Sequence, residues 1–225
     1  MNTLYKKVKN IEYIVVEPDD LDANKQYPTI FLLHGYGSNM SDLASICEYI
    51  NTNNYIYICP NAPIEIDTGH GNKGYAWFNI NTDQVVLKED KYSDLINELI
   101  FEIDREYYIN KNKMILGGFS QGAMVTYDFG INKSNYFCGL LAMSGTLINK
   151  DFLKIDNKIN TDKKIFVTHG IYDNIISINE GREAKKILED KGFDLDYMEY
   201  PIAHEISPEV ILDIKNWINK ILDKV

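Results

Sequence analysis

The sequence predicts an α/β fold in which a mostly parallel central sheet is covered by helices on both faces. Short apolar runs alternate with longer amphipathic segments along the 225 residues, an order typical of strands joined by crossover helices. Several apolar runs are hydrophobic throughout, as expected of strands that are buried on both faces. No internal repeat or linker interrupts this order, so we expect residues 1–225 to form a single domain.

The strands are predicted from the apolar runs in chain order. The first of them, Ile11–Val16, is expected to lie at an edge of the sheet. The next, Thr29–Leu33, is apolar enough to be buried and ends at His34, and Tyr55–Cys59 is stopped by a proline. The remaining strands are predicted at Lys113–Gly117, Phe137–Met143, Lys164–Thr168 and Asp194–Tyr200.

The helices are predicted from the amphipathic segments. Tyr92–Ile109 carries an apolar residue at every fourth position from Leu95 to Tyr107, which is the stripe of a helix that lies on a sheet. The other helices are predicted at Met40–Ile50, at Gln121–Ile131, at Ser177–Asp190 before the stop signal Gly192, and from Ser207-Pro208-Glu209 onward. By contrast, residues 60–90 are expected to form a long irregular loop, and such loops are usually functional or mobile.

The net negative charge of the chain limits which kinds of partner it can bind. Lys and Arg total 23 against 33 Asp and Glu, a formal net charge of −10. An acidic chain gains no counterion release on nucleic acid and is repelled by anionic bilayers, so we expect neither a nucleic-acid partner nor stable membrane insertion. The three cysteines form no CxxC pair, the N-terminal residues lack a signal peptide's apolar stretch, and no apolar run approaches about 20 residues. We therefore expect a cytoplasmic protein.

A G-x-S-x-G motif, Gly118 to Gly122, directly follows a predicted strand and opens a predicted helix. In that context the serine, Ser120, sits on a tight strained turn that points its hydroxyl over the edge of the sheet. Side chains two residues away on either side would collide with the neighbouring strand and helix, which explains the two glycines. The alternative is a glycine-rich turn with no catalytic role.

The chain order supports a catalytic role. Only His169 and His204 follow Ser120, and a Ser, Asp, His order is typical of this kind of triad. Asp173 follows a late strand and His204 follows the last one, so we expect Ser120 as nucleophile, His204 as base and Asp173 as the acid that orients it. The other acidic residues considered are expected to face solvent or point elsewhere: Asp128, Asp151, Asp156, Asp162, Asp194, Asp196 and Glu205.

An oxyanion hole needs two hydrogen-bond donors near the nucleophile. The N-terminus of the helix after Ser120 offers the backbone N–H of Gln121, together with the positive end of the helix dipole. The loop that follows the strand Thr29–Leu33 offers the backbone N–H of Tyr36. We expect these two N–H groups, and not the side chains, to bind the oxyanion.

Four motifs occur in order along the chain: LHGYGSN, GGFSQGA, THGIYDNIIS and AHEIS. Together with CPNAP, AWF and LAMSG they resemble the carboxylesterase/acyl-protein thioesterase family (phospholipase/carboxylesterase group) of the α/β-hydrolases, from about Ile30 to the final helix. The resemblance implies an α/β-hydrolase fold and a compact serine hydrolase without a cofactor. It also implies activity on carboxylic esters, thioesters and sometimes lysophospholipids.

The resemblance assigns residues one at a time. Ser120 matches the family's nucleophile, Asp173 its acid and His204 its base, while Tyr36 and Gln121 match its oxyanion positions. Many members have Leu in place of Tyr36, and this difference alters the mouth of the pocket.

Three apolar residues of the 60–90 stretch are candidate substrate-binding residues. Trp77 matches a tryptophan that the family places in a loop over the acyl site, and Phe78 and Ile64 lie in the same polar stretch. They are expected either to line an acyl groove or to pack as a cluster beneath the loop; both alternatives stay open.

The remaining histidines do not suggest a metal site. His34 ends a buried strand, where a structural hydrogen bond is the expected role, and His70 lies in the long loop and is expected to face solvent. None of the four histidines has metal-ligand spacing such as HExxH, so we expect neither metal nor cofactor.

These observations predict a serine hydrolase that cleaves esters or acyl thioesters through an acyl-enzyme. Its expected substrates are small esters, lipids or acyl-proteins. The alternatives are a lysophospholipase, an acyltransferase on the same triad and, least favoured because all three triad residues are present, a non-catalytic binding protein on this fold. The resemblance alone makes a homodimer plausible.

Overall fold

Eight strands form the central sheet in the computed structural model, which describes residues 1–51, 53–69, 71–80, 91–133, 135–148 and 162–222. They are β1 (Asn2–Val8), β2 (Ile11–Glu17), β3 (Tyr27–Leu33), β4 (Ile56–Pro60), β7 (Ile109–Phe119), β8 (Gly139–Met143), β9 (Lys164–Gly170) and β10 (Asp194–Tyr200). Across the sheet they follow the order β1-β2-β4-β3-β7-β8-β9-β10. All pairs from β4 to β10 are parallel, while β1–β2 and β2–β4 are antiparallel. The predicted α/β class is confirmed.

The helices lie on both faces of the sheet, as predicted. They are α1 (Ser41–Ala44), α2 (Cys47–Ile50), α3 (Lys91–Glu106), α4 (Gln121–Tyr127), α5 (Ile178–Asp190) and α6 (Pro208–Leu222), with a π-helical segment (Asp128–Lys133) directly after α4. Apolar residues of α3, α4 and α5 join one core cluster, and those of α1, α2 and α6 join the other. None of the described helices is long and apolar enough to cross a membrane.

Side chains along β3 alternate between the two core clusters on opposite faces of the sheet. Phe31 and Leu33 belong to the cluster under α3, whereas Ile30 and Leu32 belong to the cluster under α6, and all four are buried. Successive side chains of a strand point to opposite faces, so a run that is apolar throughout is what a strand covered on both sides requires.

The edge of the sheet differs from the prediction. Ile11–Val16 was expected at the edge, but β1 pairs with β2 along its whole length, from Asn2–Glu17 to Val8–Ile11. The β1 strand is half-buried and carries charged residues between its apolar ones, so it lacks the continuous apolar run that identified the other strands. Such a polar edge strand discourages pairing with a second chain.

The stretch expected to be one long loop contains a β-hairpin. Strands β5 (Ile64–Gly69) and β6 (Asn72–Ala76) pair antiparallel with a register shift after Asp67. An ion pair of 2.9 Å between Lys73 and Glu65 bridges the two strands. Positive φ angles at Gly69 and Gly71, 96° and 76°, form the turn. The shift and the glycines break the alternating pattern, which is why the sequence did not predict it. His70 and residues 81–90 lie outside the described residues.

Two predicted helices are also divided. The segment predicted as one helix from Met40 to Ile50 forms α1 and α2, with a turn at Ser45 whose hydroxyl donates to the Asp42 carbonyl at 2.6 Å. The helix predicted from Gln121 to Ile131 is α-helical only to Tyr127 and then becomes π-helical. A side chain at Gly130 in that segment would collide with Leu140 of β8, so the wider turn lies directly against the sheet.

Candidate active site

The turn between β7 and α4 holds Ser120 in a strained conformation. Its φ of 56° and ψ of −116° are rarely adopted by residues other than glycine. A side chain at Gly118 would collide with the backbone of Gly122, and one at Gly122 would collide with the Leu33 carbonyl of β3. Both glycines of the G-x-S-x-G motif are therefore required by close backbone approach, as the sequence predicted.

Ser120, His204 and Asp173 form one hydrogen-bonded chain. The Nε2 of His204 lies 2.9 Å from the Ser120 hydroxyl oxygen, and the Nδ1 lies 2.6 Å from Oδ2 of Asp173. A carboxylate only accepts, so Nδ1 carries the proton and Nε2 is free to accept the serine proton. The ring of Phe119 lies 4.8 Å from the imidazole centroid and packs against it. The arrangement can deprotonate Ser120.

Asp173 is held as a carboxylate. Its Oδ1 accepts the backbone N–H groups of Ile175 and Ile176 at 2.9 and 2.8 Å. Burial by itself raises the pKa of this carboxyl, but the hydrogen bonds from His204, Ile176 and Ile175 outweigh burial, and the net pKa is lowered. The carboxylate therefore stays ionised and fixes the imidazole through one oxygen while the loop fixes the other.

The loops that follow β9 and β10 are joined by backbone hydrogen bonds. The N–H of Ile171 donates to Tyr200 at 2.7 Å, and that of Tyr172 donates to Ile202 at 3.0 Å. A side chain at Gly170 would collide with the carbonyl of Ala203, so the loop that carries His204 lies directly on the end of β9. These contacts hold Asp173 and His204 at a constant separation at the carboxyl edge of the sheet, where reactive groups of such sheets gather.

The other candidate acids do not enter this arrangement. Asp128 accepts a hydrogen bond of 2.6 Å from the Tyr92 hydroxyl beside α3. Four more are exposed: Asp162, Asp194, Asp196 and Glu205. Asp151 and Asp156 lie outside the described residues.

His169 contacts the loop that carries Asp173. It is buried, and its Nε2 lies 2.8 Å from the Ile176 carbonyl and 3.5 Å from Oδ2 of Asp173. The Nε2–H donates to the carbonyl, because a carbonyl only accepts. Of the two histidines after Ser120, His204 is therefore the one that reaches the serine.

The loop after β3 lies against Ser120. A Cβ on Gly35 would stand 3.4 Å from Cβ of Ser120. The side chain of Tyr36 is 50% exposed. Within the described ranges, neither the N–H of Tyr36 nor that of Gln121 donates to a protein acceptor, and the Ser120 side chain does not cap α4. Both N–H groups are therefore free for a substrate oxygen, as required of the two predicted donors.

The side chain of Gln121 has a separate structural task. Its Oε1 accepts the backbone N–H of Trp77, and its Nε2 donates to the Phe78 carbonyl, both at 2.8 Å. Gln121 therefore fastens the end of β6 to the start of α4.

Trp77 and Phe78 lie beneath the surface. Trp77 is 1% exposed and its indole N–H donates to the His34 carbonyl at 2.8 Å. Both rings belong to the core cluster under α3, while Ile64 is half-buried at the start of the hairpin. In this conformation neither ring faces solvent, in keeping with the packing alternative. Their assignment as substrate-binding residues stays a prediction.

Exposed apolar side chains flank Asp173 in its loop, and no pattern in the sequence marked them as substrate-binding residues. Tyr172 and Ile175 stand on either side of Asp173 and are 67% and 69% exposed, and Ile80, two residues beyond Phe78, is 58% exposed. The signal in the sequence was the apolar character of the loop that carries the candidate acid, Asp173. Within the described part of the chain no cluster of three or more His, Cys, Asp or Glu could hold a metal ion.

The comparison with protein families identifies the chain. The model of the phospholipase/carboxylesterase family matches residues 13–222. The chain belongs to this family. Acyl-protein thioesterase 1 of Kluyveromyces lactis is 35% identical over 221 residues, which cover 89% of this chain and 96% of that protein. Acyl-protein thioesterase 1 of Debaryomyces hansenii is 30% identical over 225 residues, covering 87% and 91%.

Solved structures show the same fold. Esterase PE8 superposes with a TM-score of 0.78 at 22% identity and covers 92% of this chain and 97% of its own. The carboxylesterase of Bacillus cereus gives 0.75 at 20% identity and 94% coverage of each chain. These structures show the α/β-hydrolase fold, and membership of the phospholipase/carboxylesterase family makes the chain an ester hydrolase, as the resemblance implied.

Proposed function

We propose that this member of the phospholipase/carboxylesterase family hydrolyses carboxylic esters or acyl thioesters through an acyl-enzyme formed on Ser120. The observation that carries the proposal is the hydrogen-bonded chain from Ser120 through His204 to Asp173, with distances of 2.9 and 2.6 Å. The N–H groups of Tyr36 and Gln121, which have no protein acceptor among the described residues, support the same reaction.

Acylation begins with attack of the Ser120 oxygen on the acyl carbon. As that bond forms, Nε2 of His204 takes the hydroxyl proton, and Asp173 stabilises the imidazolium. The carbonyl oxygen becomes an oxyanion and accepts hydrogen bonds from the N–H groups of Tyr36 and Gln121. Collapse of the tetrahedral intermediate breaks the bond to the alcohol or thiol, which leaves with the proton from His204.

Deacylation repeats the steps with water. His204 takes a proton from water, whose oxygen attacks the acyl-enzyme carbonyl. The second tetrahedral intermediate then releases the acid, and the proton returns to the Ser120 oxygen. The enzyme ends in its starting state, and the sequence of steps needs no cofactor.

The surface around the triad favours a substrate with an apolar acyl group. Four apolar residues near the candidate site in sequence are at least half exposed: Tyr36, Ile80, Tyr172 and Ile175. Each lies within three residues of Asp173 or of a residue that contacts Ser120 or α4. Such apolar area is usually covered by a ligand or partner. Two relatives are named acyl-protein thioesterase 1, so acyl thioesters on proteins are the favoured substrates here. The same exposed surface favours a lysophospholipid as the second candidate.

The test is a chain-length series. kcat/KM is measured for p-nitrophenyl esters from acetyl to palmitoyl, with Ser120→Ala as the blank. We expect kcat/KM to rise towards medium or long chains and to vanish in the variant. A maximum at acetyl would exclude the proposed acyl preference, and activity retained by Ser120→Ala would exclude the triad. Release of thiol from an acyl thioester, measured beside the ester of the same chain, distinguishes the two substrate classes.

A further inference from the structure

His34, at the end of β3, uses both of its ring nitrogens. It is buried, and the rings of Trp77 and Tyr75 lie near it, with centroids 5.3 and 6.5 Å from its own. The backbone N–H of Ala62 donates to Nε2 at 3.1 Å, and Nδ1 lies 2.7 Å from the Gly35 carbonyl oxygen. The predicted structural hydrogen bond of His34 is therefore present, with a specific pair of partners.

The two partners determine the tautomer. An N–H can only donate, so Nε2 must be the bare nitrogen that accepts from Ala62. The ring proton then sits on Nδ1 and points at the Gly35 oxygen. Burial lowers the pKa of the imidazole, so the neutral form that this arrangement requires is favoured.

The bond acts on the peptide that contains the oxyanion donor. The carbonyl of Gly35 and the N–H of Tyr36 belong to one peptide group, which is planar and trans. In a trans peptide these two groups point in opposite directions. Any donor that fixes the direction of the Gly35 carbonyl therefore fixes the direction of the Tyr36 N–H. The N–H of Ser38 also donates to this carbonyl, at 3.2 Å, but the His34 bond is the shorter.

Among the described residues, the hydrogen bonds from His34 and Ser38 to the Gly35 carbonyl are the contacts that orient this peptide, and the bond from His34 is the shorter. The side chain of Tyr36 is half exposed. The next residue, Gly37, has a φ of 79° and donates its own N–H to Tyr75, which fixes the following peptide rather than this one. Gly35 presents no side chain that could hold its own conformation.

We propose that His34 is a positioning residue of the oxyanion hole, which aims the Tyr36 N–H at the developing oxyanion through its bond to the Gly35 carbonyl. The bond also polarises the peptide and so strengthens the N–H as a donor. This inference rests on the proposed function, since it concerns the same hydrolytic step. Loss of this positioning should lower kcat rather than weaken substrate binding, because the oxyanion forms only after Ser120 attacks the acyl carbon.

A matched pair of variants separates the two hydrogen bonds of His34. In His34→Asn the amide nitrogen stands at the same number of bonds from the backbone as Nδ1, so the donor to Gly35 is kept and the acceptor for Ala62 is lost. In His34→Gln the amide oxygen stands at the level of Nε2, so the acceptor is kept and the donor is lost. If His34 only supported the fold, both variants would lose kcat to a similar extent, and each loss would follow the fall in melting temperature.

We expect His34→Gln to lower kcat by about 10- to 100-fold with KM changed by less than about threefold, since loss of an entire oxyanion donor costs about 10²–10³-fold. His34→Asn should recover most of kcat although its melting temperature also falls. The affinity of an acyl trifluoromethyl ketone, whose adduct with Ser120 carries an oxyanion, should fall in the same proportion as kcat/KM. Equal losses in both variants, or unchanged ketone affinity in His34→Gln, would overturn the proposal.

A measurement on the unaltered protein covers the case in which neither variant folds. In protein labelled with ¹⁵N-histidine, the Nδ1–H resonance of His34 should shift when the trifluoromethyl ketone adduct forms, because its acceptor and the oxyanion donor share one peptide. Absence of a shift would overturn the proposal. Ketone that fails to react, together with activity in Ser120→Ala, would instead overturn the proposed function.

Discussion

The carbonyl of Tyr75 accepts the N–H of Gly37 at 2.9 Å, and the N–H of Tyr75 donates to Ser38 at the same distance. Two backbone hydrogen bonds thus join the hairpin strand β6 to the loop that carries the Tyr36 N–H. The hairpin occupies part of the stretch expected to be irregular, and it supports one wall of the candidate oxyanion hole. Its position should therefore affect the rate of hydrolysis.

Gly74→Ala tests that dependence. A Cβ on Gly74 would collide with the carbonyl of Gly37, so the variant must displace either the hairpin or the loop. We expect kcat to fall by at least about 10-fold, because one oxyanion donor is worth about 10²–10³-fold. The control is Gly71→Ala in the same hairpin, where φ is 76° but no atom lies within 4 Å of the new Cβ. The measurement is the steady-state kcat of both variants. Equal kcat values would mean that the position of the hairpin does not affect the oxyanion hole.

Ser120→Ala and Ser120→Gly form a second matched pair. Both lack the nucleophile and should be inactive. They should differ in stability, because φ at this position is 56° and ψ is −116°, a region open to glycine but costly for alanine. We expect Ser120→Gly to be more stable than Ser120→Ala by about 1 kcal/mol after the entropy of the unfolded glycine is subtracted. Urea unfolding measures the difference, and a less stable glycine variant would mean that the turn stores no strain.

Asp173→Asn should lower kcat by about 10⁴-fold, the loss known for the same change in the best-studied triad. The amide would present an N–H to Nδ1 of His204, which reverses the tautomer and puts the proton on the nitrogen that must accept it. Asp128→Asn is the control, since Asp128 bonds Tyr92 and lies outside the triad. Near-normal turnover by Asp173→Asn would mean that a different acid orients the imidazole.

The lowered pKa of Asp173 predicts how stability depends on pH. A carboxyl whose pKa is lower in the folded state stabilises that state above its unfolded pKa, which is about 3.9. This contribution is lost as the pH falls through the folded pKa. The difference in unfolding free energy between the natural protein and Asp173→Asn should therefore have its full size above about pH 5 and shrink as the pH falls below about 3.9. A difference that stays constant or grows on acidification would contradict the assignment.

The candidate triad could be predicted because each of its residues follows a recognisable strand. Gly118 and Gly122 fit only a close turn. Of the two histidines that follow Ser120, only His204 comes after the last predicted strand, where the base is expected. The role proposed for His34 could not be predicted, because it depends on the direction of a single peptide plane. The fold class follows from the strands buried on both faces. By contrast, β1 and the two strands of the β5–β6 hairpin contain polar residues throughout, so no continuous apolar run identifies them.

Tyr172 and Ile175 provide the last prediction, which concerns the acyl chain. Both residues are about two-thirds exposed and lie in the loop that carries Asp173. We expect an acyl chain bound to Ser120 to cover them. Burial of an apolar side chain of this size contributes about 1–2 kcal/mol. Ile175→Ser should therefore lower kcat/KM for a palmitoyl ester by about 5- to 30-fold and leave that for an acetyl ester nearly unchanged.

The control for this prediction is Tyr5→Ser on the edge strand β1, a residue that is also highly exposed but lies at the opposite side of the sheet from β9. It should change neither ester. Because Ile175 donates its backbone N–H to Asp173, a shift of the acid loop would lower both esters equally. An equal loss for acetyl and palmitoyl esters would therefore assign Ile175 to support of the triad, and a loss confined to the longer chain would assign it to the acyl surface.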